Sequence, residues 1–542
     1  MSELSPFETH SVENQPPPFA PRNLWADDIV LRECVMREGA GAFAPRLATY
    51  AVLAGDALYR LGFDANRDRP RLRTHDQHGH RIDLVEFHPA YHQLMEAAKT
   101  HGVAGLSWHE PVPGAHVARA ALSYLHHQAE AGTSCPLTMT HAAVPVLQRE
   151  PALREWAAKA AAPYYDPRDV PIGDKGGITL GMGMTEKQGG SDVRANATIA
   201  TPDADGTYTL AGHKWFFSAP MCDGFLVLAQ APGGLTCFLM PRRREDGAKN
   251  AFRLMLLKDK LGDWANASSE VEFTGARAWR VGDEGRGVAT IIEMVMLTRL
   301  DCMLGSAAEM RMALAQALHH ARHRRTFGKP LVEHALMRNV LADLALESEA
   351  ATAFALRVAR AVDAAPRDPR EAAFARIATA AGKYWVCKRA PAFVNEAQEC
   401  LGGVGYVEES ILPRLFRQAP LNSIWEGSGN IQCLDVLRAL AREPETVQAV
   451  GDELAAASGH DATFDTFVDR LRVDLAAARE AGARLLVERL ALAMQAAALL
   501  RADSPAAALF IRSRLGGEHG LALGTLPAEV DAAPLLARAL PA

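Results

Sequence analysis

A single carboxylate set among small and polar residues is the first place where this chain could do chemistry. In Ile424-Trp425-Glu426-Gly427-Ser428-Gly429-Asn430, Glu426 sits on a turn beside an indole and between glycines. A glutamate partly withdrawn from water has its pKa raised toward the range in which a carboxylate can take a weakly acidic proton from carbon. The same residue also reads as a carboxylate at the start of a helix, favoured by the positive end of the macrodipole. Upstream of it runs a second glycine-rich turn, Leu401-Gly402-Gly403-Val404-Gly405-Tyr406.

Three further segments carry groups that bind flat or anionic ligands. The loop Gly181-Met182-Gly183-Met184-Thr185-Glu186-Lys187-Gln188-Gly189-Gly190-Ser191-Asp192 combines glycines, which let backbone approach a ligand, with two hydroxyls and free N–H groups. Its spacing matches neither G-x-G-x-x-G nor the P-loop, which sets aside Rossmann and nucleotide-triphosphate readings. In Gly212-His213-Lys214-Trp215-Phe216-Phe217-Ser218, strand alternation puts Phe216 and Ser218 on one face, a ring to stack on a planar ligand beside a hydroxyl for its edge. A half-buried strand with a satisfied serine has the same pattern. The basic run Arg322-His323-Arg324-Arg325-Thr326-Phe327-Gly328-Lys329-Pro330 offers guanidinium groups for a pyrophosphate and a ring for a base, or simply complements a helix C-terminus.

The elements that must position these groups follow from composition and pattern. A length of 542 residues allows three or four domains of about 150 residues. The 49% hydrophobic and 23% charged content is that of a folded globular chain. With 58 basic against 64 acidic side chains the net charge is -6, so any affinity for nucleic acid or anionic lipid must be local. No apolar run is long enough for a transmembrane helix, and no membrane partner is expected. The N-terminus carries Glu3 and Glu8 and no apolar run, which argues against a secretory or transit peptide and predicts a cytoplasmic location. Eight scattered cysteines without a C-x-x-C pair read as reduced core residues.

Along the chain, residues 1–24 are Pro-rich and extended, and the pattern is helical from Leu24 to Tyr165, with a helix over 115–131. Short β-branched and aromatic runs between Gly, Asp and Asn turns begin near Gly176. Helical periodicity returns at Gly287 and continues to Leu440, broken at Pro330, Ala365–Pro369 and Gly402–Gly405. Beyond Pro444 comes another helical block, where Phe464, Phe467, Leu471, Leu475, Ala478, Ala481 and Leu485 form one apolar stripe with Arg472 and Arg479 off it, on a solvated face. The expected domains are 1–180 (extension and helices), 181–280 (β), 281–440 (helical bundle) and 441–542 (additional helices).

In combination and order, the motifs resemble those of the acyl-CoA dehydrogenase flavoprotein family: M-T-E-x-x-x-G-S-D, G-x-K-x-F/W-x-S/T, R-x-T-F-G, L-G-G-x-G-Y and W/Y-E-G-S/T-x-N/Q, over residues 25–440. The resemblance implies an α+β chain with an N-terminal α-helical domain, a central barrel-like β domain and a C-terminal four-helix bundle, plus here an extra C-terminal helical domain. It implies FAD as cofactor and a homotetramer built from paired dimers. Met182, Met184, Thr185, Gly190 and Ser191 match the loop that holds the isoalloxazine, with Ser191 also reaching toward substrate. Phe216 and Ser218 match the stacking ring and the hydroxyl near flavin N5. Arg324, Thr326, Phe327 and His334 match positions that reach the FAD of a neighbouring subunit, and Gly403, Trp425, Ser428 and Asn430 match the C-terminal FAD contacts. Glu426 matches the catalytic base, which would remove the α-proton of an acyl-CoA thioester as hydride leaves the β-carbon for the flavin. Arg299 matches a residue of the substrate region.

Departures fall on the substrate side. Met296 stands where many members carry an Asp that contacts the CoA pantetheine, Glu399 replaces a usual Gln, and Gln418 replaces the Asp of an R-D-A segment. Thr9–Pro17, Arg37–Ala40, Glu86–His92 (Glu-Phe-His-Pro-Ala-Tyr-His), the Lys187–Gly190 run and the long C-terminal block resemble one branch of the family, that of the bacterial adaptive response to DNA alkylation. That branch implies double-stranded DNA as a partner, protection of DNA or inactivation of alkylating agents, and weak dehydrogenase activity. Arg438, Arg442, Arg512 and Arg514 are the arginines that would form a DNA-binding patch, although residues 438–542 carry 11 Arg and no Lys against 14 acidic residues. The alternatives are a metabolic short- or branched-chain acyl-CoA dehydrogenase, whose extra domain cements the tetramer, and an oxidase unrelated to alkylation. Histidine spacings at His75/His78/His80, His88/His92 and His319/His323 fit polar surfaces better than zinc, and no metal is expected.

Overall fold

The computed structural model describes residues 9–541. The first eight residues, with Glu3 and Glu8, lie outside the described residues. From residue 9 the chain runs extended to the first helix, Ile29–Arg37, whose N-cap Asp28 accepts from Leu31 N–H at 2.9 Å. Helices follow over Ala44–Leu53, Tyr59–Arg67, Pro89–His101, Ala115–Ala129, Ser134–Gln148 and Arg154–Ala161. The segment expected to be helical throughout is interrupted by an antiparallel hairpin, Arg71–His75 with Arg81–Glu86. An Asp76-to-Gly79 turn closes it, and Asp76 Oδ1 accepts from the N–H groups of His78 and His80. The hairpin strands alternate only weakly in burial, which is why hydrophobic periodicity did not separate them from the helices around them.

Seven strands between Leu180 and Val281 form one sheet that closes on itself. Gly224–Ala231 pairs with Gly234–Pro241 on one side, and in parallel with Leu180–Gly183 on the other. The long strand Ser268–Val281 links Tyr208–Ser218 to Gly234–Pro241. Strands 224–231 and 234–241 are buried on both faces because one lines the barrel while the other meets the helices; a Cβ at Gly224 would lie 2.6 Å from the Trp156 ring.

The bundle comprises Gly287–His323, Ala335–Ala364, Pro369–Glu399 and Gly429–Arg442. Pro369 occupies the first helical turn, where its missing N–H costs nothing, and Asp368 caps Arg370 N–H at 2.9 Å. The 115–129 helix packs on the 287–323 helix, joining the N-terminal helices to the bundle in one apolar core.

The C-terminal block holds Pro444–Ala455, Ala462–Ala476, Ala483–Leu500 and Ala533–Ala539. The stripe read as continuous from Phe464 to Leu485 is broken. Phe464, Phe467, Leu471 and Leu475 share one helix, a turn intervenes through Ala478 and Ala481, and Leu485 is 53% exposed on the next helix. Gly482 ends the intervening turn, and it is Leu486 and Val487 that the second helix buries. That helix packs against the bundle helices 335–364 and 369–399. All eight cysteines are unpaired and buried, and among the described residues no helix is long and apolar enough to cross a membrane.

Candidate active site

Glu426 lies on a turn before the 429–442 helix with φ of +57°, a left-handed conformation that a residue with a Cβ adopts only when its surroundings hold it there. Three side chains do the holding, and between them they take every carbonyl of the turn. Lys383 Nζ donates to the Trp425 and Gly427 carbonyls, each at 2.8 Å. Arg299 Nε donates to the Glu426 carbonyl at 3.0 Å. Gln432 Nε2 donates to the carbonyls of Glu426 at 3.1 Å and Gly427 at 2.8 Å. Arg299 is fixed in turn by Asp435 at 2.7 Å, which also accepts from Arg376 at 2.9 Å. Each of these groups comes from a bundle helix, so the geometry of the turn is a consequence of bundle packing.

The carboxylate itself has one side-chain donor, Thr298 Oγ1 at 2.7 Å from Oε2. Burial raises the pKa of Glu426, against the opposing pull of the Thr298 hydrogen bond and the charges of Lys383 and Arg299. The proton affinity of this carboxylate is thus raised by burial and moderated by one hydroxyl and two cations that contact the backbone of the turn. Trp425 Nε1 donates to Asn422 at 2.9 Å. Its ring packs against the apolar cluster that contains Met182 and against which Met184 and Leu297 also pack.

That loop is anchored from below. Glu186 and Lys214 form a fully buried ion pair at 2.7 Å. Glu186 also accepts from Ala197 N–H at 2.7 Å and Thr198 N–H at 3.2 Å, while Lys214 reaches the Leu228 carbonyl at 2.7 Å. The ammonium and the backbone donors hold the Glu186 carboxyl down at about 2. Trp215 N–H donates to the Thr185 carbonyl at 2.8 Å, and Gly190 folds so closely on Thr185 that a Cβ would lie 2.4 Å from its hydroxyl. Thr185, Gly190 and Ser191 are thereby set against the strand of Phe216 and Ser218. Phe217 is fully buried and Phe216 is 48% exposed, with Lys258 Nζ 4.7 Å from its ring.

The remaining residues singled out in the sequence occupy other positions. Arg324, Thr326 and Phe327 form a tight hairpin pinned by Asn14, whose side chain exchanges two 2.8 Å hydrogen bonds with the Arg325 backbone and whose carbonyl accepts from Arg324 at 2.7 Å. His334 Nε2 meets the Thr326 hydroxyl at 3.3 Å, and the Phe327 ring is 98% exposed. Arg322 is turned inward to the carbonyls of Leu536, Leu540 and Pro541, so that member of the basic run is spent on the C-terminus. Gly403 is on an exposed turn held by Gln398, which donates to the Gly405 carbonyl at 2.8 Å. Ser428 and Asn430 are exposed, and Asn430 Oδ1 accepts from Arg484 of the C-terminal block at 2.8 Å.

Two expectations are corrected. Arg299 is buried, with Nε given to the Glu426 carbonyl and Nη1 to Asp435, so its main contacts support the Glu426 turn rather than reach outward. Arg514 is buried between Asp343 and Glu347 and is closed off from any phosphate. Arg512 is half-exposed and paired with Glu518 and Glu529, Arg438 lies 3.5 Å from Asp435, and Arg442 is exposed. Among the described residues no group of three or more His, Cys, Asp or Glu side chains converges as a metal site. Sequence reasoning missed Lys383, Thr298, Gln432 and the Glu186–Lys214 pair; the last two residues were inside quoted motifs, whereas nothing near Lys383 in the chain marks it.

Three family models match the chain in order: "Adaptive response protein AidB N-terminal domain" over residues 14–167, "Acyl-CoA dehydrogenase, middle domain" over 181–276, and "Acyl-CoA dehydrogenase, C-terminal domain" over 285–441. The chain is 48% identical to the putative acyl-CoA dehydrogenase AidB of Escherichia coli K12 over 503 residues, covering 92% of this chain and 93% of that one. It is 30% identical to acyl-CoA dehydrogenase family member 11 of Caenorhabditis elegans, over 86% of this chain and 78% of the relative. Among solved structures, that of C. elegans ACDH-11 in complex with C11-CoA superposes with a TM-score of 0.84 at 26% identity, covering 95% and 94% of the two chains.

Proposed function

We propose that this chain, which belongs to the acyl-CoA dehydrogenase family, uses Glu426 as the base that removes the α-proton of an acyl-CoA thioester. The enzyme is an acyl-CoA dehydrogenase-type oxidoreductase, and FAD is the cofactor of its family. The residues fit that group. The glycine-rich loop is small-sided and rigidly anchored, the Phe216 ring is half-exposed beside Ser218, and a Cβ at Gly403 would meet no atom within 4 Å. Met182, Met184, Thr185, Gly190, Ser191, Phe216 and Ser218 would hold the isoalloxazine; Trp425, Ser428, Asn430 and Gly403 would hold the rest of the cofactor. FAD when bound supplies the acceptor for the hydride that leaves the β-carbon. As that hydride leaves, the α-proton passes to Glu426 and the electron pair left on the α-carbon closes the α,β double bond of the product.

The observation that carries this reading is the clamped turn. A base must stand at a fixed distance from the carbon it deprotonates, and Glu426 is held in a strained conformation by three side chains that contact the backbone of its turn and leave the carboxylate free apart from Thr298. The exposed rings of Phe327 and Tyr406, at 98% and 80%, lie on turns that would be covered in a homotetramer, where Arg324, Thr326, Phe327 and His334 would serve a neighbouring subunit's cofactor.

The reading extends to association with double-stranded DNA in the adaptive response to alkylation, supported by the likeness to AidB and by Arg438 and Arg442 on one helix. The test is an anaerobic titration of the purified flavoprotein with a panel of acyl-CoAs, alongside DNA binding measured against salt. Reduction by a particular acyl-CoA, lost in Glu426→Gln, supports the base. Salt-dependent DNA affinity that falls in Arg438→Glu/Arg442→Glu supports the DNA reading. Fast reduction with no DNA affinity near physiological salt would favour the metabolic alternative.

A further inference from the structure

The motif Glu86-Phe87-His88-Pro89-Ala90-Tyr91-His92 has no part in the Glu426 turn, yet the fold builds a cavity around it. His88 caps the helix Pro89–His101 through Nδ1, which accepts from Ala90 N–H at 3.2 Å. This turns Tyr91 and His92 toward the segment at Tyr165–Asp169 and the loop Ala219–Cys222. Between them lies a cavity of about 370 Å3 that shares no lining residue with the Glu426 turn. That volume is within the range of small-molecule sites.

Its walls are aromatic and its acids are already paired. Phe87 stacks on Tyr91 with centroids 4.0 Å apart and planes 13° from parallel, His92 stands edge-on to both, and Tyr165 lies 6.0 Å from His92 at 28°. Met95, Met221 and Cys222 complete the apolar surface. Glu86 is paired with Arg73 at 2.7 Å, Asp166 with Arg168 at 2.6 Å, and Asp169 with Arg243 at 2.9 Å. A charged ligand would find no unmatched partner among these lining acids.

Among the polar groups that line it, His92 and Tyr165 are joined by a hydrogen bond, His92 Nδ1 to the Tyr165 oxygen at 2.8 Å. A phenol O–H donates strongly, and among the described residues His92 is the acceptor the hydroxyl has. Donation to Nδ1 fixes the neutral ring as the tautomer with its proton on Nε2. Burial, which lowers the His92 pKa, favours that neutral ring. His92 Nε2–H is then a donor with no protein partner among the described residues, in an aromatic and thioether surround that also carries the Tyr91 and Thr179 hydroxyls.

We propose that this cavity is a second small-molecule site, separate from the base, that takes an uncharged aromatic compound bearing a carbonyl oxygen, with the ring against Phe87, Tyr91 and Met221 and the oxygen accepting from His92 Nε2. The proposal stands independently of the reaction assigned to Glu426. It is tested on the full-length protein by equilibrium dialysis with acetophenone and with ethylbenzene, a probe of similar shape that lacks the acceptor. Wild type binds acetophenone saturably and prefers it by roughly three- to tenfold, the worth of one such hydrogen bond. His92→Phe abolishes the preference while keeping ethylbenzene, and Met221→Trp, which fills the cavity, abolishes both. Absence of saturable acetophenone binding, a preference that survives His92→Phe, or binding that survives Met221→Trp would each overturn the proposal. Should Met221→Trp fail to fold, His92→Phe alone decides it.

Discussion

Replacing Thr298 by Val is the most revealing single change, because it alters the proton affinity of Glu426 without touching the clamp on its backbone. The Thr298 hydroxyl has one proton and two acceptors, Glu426 Oε2 at 2.7 Å and the Val295 carbonyl at 3.0 Å. With Glu426 ionised, the proton goes to the carboxylate in a charge-assisted bond. With Glu426 protonated, the acid can donate to Thr298 and the hydroxyl can turn to Val295. Both states are thus hydrogen-bonded, and only the difference between a charged and a neutral bond, about 1 kcal/mol, shifts the equilibrium. At 1.36 kcal/mol per unit, Thr298→Val raises the Glu426 pKa by roughly half to one unit. The sign is fixed: burial raises this pKa and Thr298 lowers it, so losing Thr298 raises it further. A base works in its ionised form, so the variant loses activity at a higher pH than wild type on acidification. The assay is the rate of anaerobic flavin reduction by acyl-CoA followed by rapid mixing across the acid and neutral range, with Thr298→Ser restoring the wild-type limb. An acid limb that stays in place or moves down would refute the reasoning.

The other predictions concern the supports. Lys383→Met removes two charge-assisted bonds from the strained turn; we expect a loss of about 3 kcal/mol in denaturant unfolding and a fall in kcat larger than any change in KM. Asp435→Asn leaves Arg299 and Arg376 short of a counter-charge and is expected to cost about 3–5 kcal/mol by the same measurement, whereas Arg438→Ala, at the exposed edge of that network, costs under about 1 kcal/mol. Glu186, held at about 2 against an ordinary 4.5, contributes about 3 kcal/mol that is present above pH 4.5 and lost as pH falls toward 2. Glu186→Gln should therefore be less stable than wild type at neutral pH, with the gap narrowing on acidification; a gap independent of pH would contradict this.

Much of the candidate site was legible in the sequence for a physical reason: backbone-contacting chemistry needs glycines and small residues in fixed order, and such motifs are local. Glu426, the 181–192 loop and the Phe216–Ser218 strand end are of that kind. What was not legible is long-range. Lys383 sits mid-helix and acts on a turn 42 residues away in the chain. Arg299 was assigned to the substrate region by resemblance, but its partner Asp435 is 136 residues on, and that distance hid its contacts with the turn. Arg514 was misread for the same reason, its acids lying on the 335–364 helix. The hairpin at 71–86 was missed because its strands are half-exposed and charged on both faces, and the stripe through Leu485 was read across a break because Ala478 and Ala481 fit helix and turn equally.

The central claim is that Glu426 removes the α-proton of an acyl-CoA. It is tested most directly by incubating the enzyme with acyl-CoA in deuterated water and following isotope incorporation at the α-carbon by mass spectrometry. Wild type should catalyse the exchange, and Glu426→Gln should slow it by about a hundredfold or more, the scale of a positioned general base. Equal incorporation in the two proteins would contradict the account.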